Sequence, residues 1–182
     1  MKILTGTLRG RPLSFKPNRR LRPTSDKTRK AIFDMLRGSI EGGRVLDLFS
    51  GTGALGIEAL SSGAMFVTFV EVKRAHARAI QDNLKKLHLC DKTEVIVADV
   101  VAAIQRFLKE EKKFDLVLMD PPYGEGLGSK ALVVLAQSKI LSKEALIVFE
   151  CRESEALPNI DNLECVKDKV YGDTRIVIYR CA

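Results

Sequence analysis

Apolar and polar positions change their period several times along this 182-residue chain. Five short runs dominated by apolar residues read as strands: RVLDLF (44–49), MFVTFV (65–70), TEVIVA (93–98), FDLVLM (114–119) and EALIVF (144–149). Helical spacing fills the intervals. Residues 53–62 form a short helix, Ala75, Ala79, Ile80, Leu84 and Leu87 mark one face of a second, and Val100, Val101, Ile104, Phe107 and Leu108 stripe a third. A further helix falls around 128–138. Strands alternating with helices predict an α/β, doubly wound, mostly parallel sheet with right-handed crossovers. The tail departs from that alternation: ECVKDKVY and TRIVIYR flank Gly172-Asp173 with no helix between them, so the sheet ends in an antiparallel hairpin. At the front, KILTGTLRGRPLSF suggests a small hairpin or irregular strand pair. Thr24, Ser25 and Asp26 then cap a helix reaching about Gly38, with Ile32, Phe33, Met35 and Leu36 inward. The whole chain, 1–182, is expected to be a single domain, with residues 1–23 an N-terminal extension on a core of 24–182.

Charge is unevenly placed. The formal net charge is +7, yet residues 1–30 hold ten Lys or Arg against one acid, while the remainder holds twenty against twenty-two. The whole positive surplus therefore sits in the first 30 residues. Arg9, Arg11, Lys16, Arg19, Arg20, Arg22, Lys27, Arg29 and Lys30 gather there with Phe15 and several prolines, which suits a phosphate-binding surface better than a solubility device. No apolar run approaches membrane-spanning length and no signal-peptide core opens the chain, so a cytoplasmic protein is expected. Cys90, Cys151, Cys165 and Cys181 are scattered with no C-x-x-C pair, which argues for reduced, mostly buried thiols and against a metal or iron–sulfur site.

Candidate chemistry begins at GTGALG, where Gly51, Gly53 and Gly56 fit G-x-G-x-x-G between a strand and a helix, with Glu71 twenty residues beyond Gly51. The same pattern binds dinucleotides. Asp47 opposes that reading, because a carboxylate at the end of the first strand repels a pyrophosphate held at the glycine loop. A ligand with an ammonium, a sulfonium, a ribose and an adenine but no phosphate favours an acid there, and S-adenosylmethionine is such a ligand. Glu71 can accept from both ribose hydroxyls, and Asp99 from the adenine amino group with the Val100 N–H nearby. The candidate cofactor residues are Asp47, Phe49, Ser50, Gly51, Thr52, Gly53, Glu71, Val72, Asp99 and Val100. All lie at the carboxyl ends of adjacent strands or in the turns that follow, where open parallel sheets bind ligands.

The fourth strand ends at the same place, in DPPY: Asp120, Pro121, Pro122 and Tyr123. An exocyclic amine on a nucleobase is a poor nucleophile, since its lone pair is delocalised into the ring. Acceptors that fix its N–H groups favour a pyramidal nitrogen, and the Asp120 carboxylate with the Pro121 carbonyl are two such acceptors. Proline stiffness keeps both aimed. Tyr123 stacks on the base once it leaves its helix or loop. The reaction so read is methyl transfer to an amino nitrogen, with neither metal nor covalent enzyme intermediate.

In the order LTGTLRGRPL, LRPTSDKTRKAIFDML, VLDLFSGTGALGIEAL, FVEV and DPPY, the chain resembles the RsmD family of bacterial small-subunit ribosomal RNA guanine-N2 methyltransferases over nearly its whole length. The last three segments are shared by many amino methyltransferases; the first two are the family-specific part. The resemblance implies a seven-stranded, Rossmann-like class I methyltransferase sheet. It implies an extension that contacts RNA, here through Arg9, Arg11, Lys16, Arg19, Arg20 and Arg22, and a guanine in 16S rRNA of an assembled or assembling small subunit as target. A monomer is expected. Two positions depart from the family pattern: Lys30 follows Arg29 where a Glu is usual, and Lys73 stands where an acid often follows the ribose-binding Glu.

Rival readings remain at this level. DPPY also serves adenine-N6 transfer on DNA, although such enzymes usually carry a separate region for reading base edges, and only the short extension is available for one here. Cytosine-C5 chemistry lacks a cysteine near the strand ends. A non-catalytic RNA-binding module explains the basic arm but not Asp120, and an NAD oxidoreductase meets the objection at Asp47. His76 and His88 read as helix-surface positions without a role.

Overall fold

The computed structural model describes residues 1–15, 25–124 and 126–181; Lys16, Arg19, Arg20, Arg22 and the proposed capping residue Thr24 lie outside them. Seven strands form one sheet in the order β3-β2-β1-β4-β5-β7-β6. They are β1 (Arg44–Leu48), β2 (Phe66–Glu71), β3 (Thr93–Val97), β4 (Phe114–Met119), β5 (Leu141–Arg152), β6 (Leu163–Tyr171) and β7 (Thr174–Cys181). The first five run parallel, and β7 lies antiparallel between β5 and β6. Helices α1 (Asp26–Met35), α2 (Ala54–Ser61) and α3 (Arg74–Leu87) cover one face, and α4 (Val100–Lys109) and α5 (Leu127–Gln137) the other. The central strands alternate between two buried clusters: Val45, Phe69, Leu116 and Leu118 face the first three helices, while Leu46, Leu48, Val117 and Met119 face the last two. Burial on both faces explains why these segments read as near-continuous apolar runs.

Chain order reverses between β1 and β4. The first crossovers step outward through β2 to β3, and the next return to the far side of β1. The loops leaving β1 and β4 therefore diverge, opening a crevice at their carboxyl ends.

The extension is an irregular pair with a single antiparallel bridge, Lys2 to Pro12, and it is fastened to the helices by buried polar groups. Glu58 on α2, fully buried, accepts from the Leu4 N–H (2.6 Å), the Thr5 N–H (3.1 Å) and the Arg29 Nε (3.2 Å). Arg29 Nη2 donates to the Lys2 carbonyl (2.8 Å) and to Asp26 (3.0 Å). Further along, Ser14 and the Asn83 side chain of α3 exchange two hydrogen bonds of 2.9 Å.

The structure corrects several expectations from the sequence. The cysteines are not mostly buried: Cys151 is, but Cys90 and Cys165 are exposed and Cys181 is half-buried, because these last three lie outside the packed faces of the central strands. Arg29 is not part of a basic surface but is wholly buried, because Glu58 and Asp26 neutralise it inside the extension's attachment. On α3 the inward stripe is His76, Ala77, Ile80, Asn83, Leu84 and Leu87, with Ala75 exposed and Ala79 half-buried. Two polar residues in that stripe, His76 and Asn83, pack against the extension and so disguise the apolar face. On α4 the stripe is Val100, Ala103, Ile104 and Phe107; Val101 and Leu108 are exposed. The first helix ends at Met35, three residues short of Gly38, with Ser25 Oγ accepting from the Thr28 N–H as its cap.

Candidate active site

The turn after β1 is built to bring a carboxylate, a backbone loop and a helix end close together. Phe49 adopts a left-handed φ of 61°, an unusual conformation for an aromatic residue. Ser50 sews the turn to β2: its N–H donates to the Val70 carbonyl (2.9 Å), and its Oγ donates to the Asp47 carbonyl (2.7 Å) and accepts from the Val70 N–H (3.0 Å). Asp47 is buried, and its Oδ2 accepts from the Gly56 N–H at 2.9 Å. A Cβ at Gly56 would lie 2.3 Å from the Phe69 ring and 2.9 Å from that Oδ2, so only glycine lets α2 approach β1 and β2 this closely. Burial pushes the Asp47 carboxyl up to about 8, against the Gly56 hydrogen bond, with the negative charges of Asp120 and Glu71 adding to the rise.

Glu71, buried at the end of β2, accepts from the Gly51 N–H through Oε2 (2.8 Å) and from the Lys73 N–H through Oε1 (2.7 Å). Its third neighbour is His76, whose Nδ1 lies 3.6 Å from Oε1 and whose ring meets Phe15 edge-on at 5.6 Å. His76 is therefore buried beside the site, not a surface residue. Asp99 follows β3 and caps α4, its Oδ1 accepting from the Val101 N–H (2.9 Å) and the Ala102 N–H (3.4 Å). The exposed Val72 and the buried Val100 add apolar wall.

Across the reversal point, Asp120 leaves β4. Pro121 is buried, and a Cβ at Gly128 would come within 2.5 Å of its ring and 2.7 Å of Phe149, so α5 presses directly on the proline. Tyr123 is half-buried; its hydroxyl donates to Glu150 Oε1 (2.9 Å), and the Arg152 guanidinium lies 5.5 Å from the ring centre. Burial, with the Glu150 and Asp120 charges adding, holds the Tyr123 hydroxyl well above its ordinary range, so it remains a donor.

One cavity of about 780 Å³ unites these groups. Asp47, Phe49, Ser50, Gly51, Thr52, Glu71, Val72, Asp99, Val100, Asp120, Pro121, Pro122 and Tyr123 all line it. Gly53 does not; with φ 74° it begins α2, backed by Ile80. Arg9 and Arg11 are exposed on the extension away from the lining. Glu150, His76 and Thr174 line the cavity without having been singled out from the sequence. Glu150 carried a usable sign, since it follows the apolar run ALIVF as Asp120 follows FDLVLM. Among the described residues, no group of three or more His, Cys, Asp or Glu side chains is arranged to hold a metal, and no helix is long and apolar enough to cross a membrane.

Comparison with known proteins agrees in length as well as pattern. Residues 1–180 match the family model described as Conserved hypothetical protein 95. The Bacillus subtilis protein YlbH is 34% identical over 181 residues, covering 99% of this chain and 98% of that one. Ribosomal RNA small subunit methyltransferase D of Escherichia coli is 32% identical over 182 residues, covering 99% and 89%. The solved structure of Escherichia coli yhhF, 32% identical, superposes with a TM-score of 0.87 over all of this chain and 97% of that one.

Proposed function

The chain belongs to the family of Conserved hypothetical protein 95, the RsmD family of its sequence motifs, and from that membership we propose that it transfers a methyl group from S-adenosylmethionine to the N2 amine of a guanine in 16S ribosomal RNA. The observation that carries the reading is a single cavity in which Asp47, Glu71 and Asp99 line one side of the strand-order reversal and Asp120 with its proline pair the other.

The donor set fits the cofactor. S-adenosylmethionine, when bound, supplies an electrophilic methyl carbon on a sulfonium. Asp47 is the carboxylate for its ammonium, because a cation offsets the burial that otherwise keeps this group protonated. Glu71 retains acceptor capacity for ribose hydroxyls beyond the two backbone N–H groups it already holds, and Asp99 does so for the adenine amine. Val72 and Val100 flank the adenine. Asp120 and the Pro121 carbonyl hold the target amine, and the Asp120 carboxylate takes the proton that nitrogen sheds on alkylation. Clamping of Pro121 by Gly128 and Phe149 keeps those acceptors in place as the amine arrives. Tyr123 provides the stacking face for the base.

The protein so read works in the cytoplasm as a monomer on the small subunit or its rRNA, with Arg9, Arg11, Lys16, Arg19, Arg20 and Arg22 on phosphates. Purified protein, methyl-labelled cofactor and three substrates test this: free 16S rRNA, small subunits lacking the modification, and plasmid DNA, with nucleoside mass spectrometry of the products. N2-methylguanosine in RNA supports the proposal. N6-methyladenine in DNA overturns the substrate. Asp120→Ala is expected to lower the rate at least about a thousandfold with S-adenosylhomocysteine affinity unchanged; equal loss of both reassigns Asp120 to the cofactor.

A further inference from the structure

We propose that Glu150 reads the target base, selecting guanine by accepting a hydrogen bond from its N1–H; this rests on the guanine-N2 reading above. Strand register places it beside Asp120. Met119, the last residue of β4, pairs with Phe149 of the parallel neighbour β5, so Asp120 and Glu150 are the residues that directly follow a paired position. Neighbouring strands lie about 4.8 Å apart. Both residues line the same cavity, and Glu150 is only 3% exposed. Its carboxylate is oriented by the Tyr123 hydroxyl, which donates to Oε1 at 2.9 Å.

A carboxylate accepts only, and its two oxygens offer about four acceptor sites, so it can serve the tyrosine and a base donor together. Guanine offers two adjacent kinds of donor on its Watson–Crick edge, the N2 amine and N1–H. Adenine and 2,6-diaminopurine offer an amine beside a bare N1 lone pair. Two carboxylates side by side match the first edge. With the second, Glu150 faces a lone pair in a water-poor setting, and a site built to hold a donor rejects a ligand that lacks it. If Glu150 served only to hold Tyr123, Glu150→Gln would preserve that role, since its amide oxygen still accepts from the hydroxyl.

The test uses full-length protein and small-subunit rRNA carrying, at the mapped target nucleotide, either guanine or 2,6-diaminopurine, which keeps the N2 amine. Wild type is expected to prefer guanine by roughly 10- to 100-fold in kcat/KM, the discrimination typical of one hydrogen bond to a charged group. Glu150→Gln loses rate on guanine and gains on diaminopurine, because its amide can donate to N1, and the preference falls toward one. Its affinity for S-adenosylhomocysteine stays at the wild-type value, and the preference between bases is a ratio that a change in stability does not move. Equal transfer to both bases by wild type, or an unchanged preference in Glu150→Gln, overturns the inference without any appeal to folding. Transfer by wild type to neither base overturns the underlying reading instead, so the two failures are distinct.

Discussion

With no cation beside it, Asp47 holds its proton until the pH reaches about 8, whereas in an unfolded chain it ionises near 3.8. The folded state thus binds that proton more tightly between those values, so the stability contributed by neutral Asp47 is present below about pH 4 and is lost as pH rises toward 8. Asparagine keeps an acceptor for the Gly56 N–H and never ionises. Asp47→Asn is therefore expected to raise the Tm of the ligand-free protein at about pH 8.5 by roughly 2–8 °C relative to wild type, with much less change at about pH 5. The same substitution removes the charge meant for the ammonium and weakens S-adenosylhomocysteine binding at least about tenfold. A thermal-shift series over pH, with and without ligand, reads both effects; a pH-independent difference would mean that Asp47 is not the titrating group. Glu71 and Asp99 show a second theme at this scale. Each already satisfies loop or helix N–H groups, so the groups assigned to the cofactor also shape the turns that present them.

At the scale of elements, α2 carries two unrelated duties on opposite flanks. Gly56 faces the sheet and allows Asp47 to reach the helix backbone, while Glu58 faces the extension and neutralises Arg29. Removing one partner of a buried ion pair costs about 3–5 kcal/mol, because the other is left charged and dry. Glu58→Gln should therefore lower stability by about that amount and loosen residues 1–15, which shows as faster tryptic cleavage after Arg9. Cleavage at the wild-type rate would mean that the buried Ile3 and Leu13 and the Ser14–Asn83 hydrogen bonds hold the extension without the ion pair. Sequence pattern showed the elements well but not this attachment. The apolar runs marked β1, β2, β4 and β5 because both faces of those strands are covered, and β3 by its β-branched residues although it is a half-exposed edge strand, whereas Arg29, His76 and Asn83 are polar residues whose burial depends on partners far away in the chain.

Over the whole molecule, charge and chemistry are segregated. The basic surplus sits in the first thirty residues, while the cavity is lined with carboxylates. The basic region supplies attraction for a polyanion without sequence information, and the cavity supplies base choice. Replacing Arg9, Arg11, Arg19, Arg20 and Arg22 together by Ala is expected to weaken rRNA binding by an order of magnitude or more at moderate salt. It should also flatten the dependence of log K on log salt by up to about one unit for each phosphate left unneutralised. Cofactor affinity remains, since none of these residues belongs to the cofactor's acids. An unchanged salt slope would place the RNA surface elsewhere. The far edge of the sheet is guarded in the usual way: β6 presents Glu164, Lys167, Asp168 and Lys169 along an exposed strand, which discourages pairing with another chain.

What this sequence determined alone is whatever depends on neighbours in the chain. The period of its apolar residues set strands and helices, glycines set the sharp turn after β1, and acids directly following buried strands marked the edge where a ligand sits, because successive parallel strands deliver their ends to the same side. Tertiary structure alone decided what depends on distance across the fold. Strand order put Asp120 next to Glu150 as well as near Asp47, packing of α5 turned a proline pair into a clamped acceptor, and burial raised the carboxyl of Asp47 and hid Arg29. Register and desolvation arise between segments tens of residues apart, and a local pattern holds no record of them.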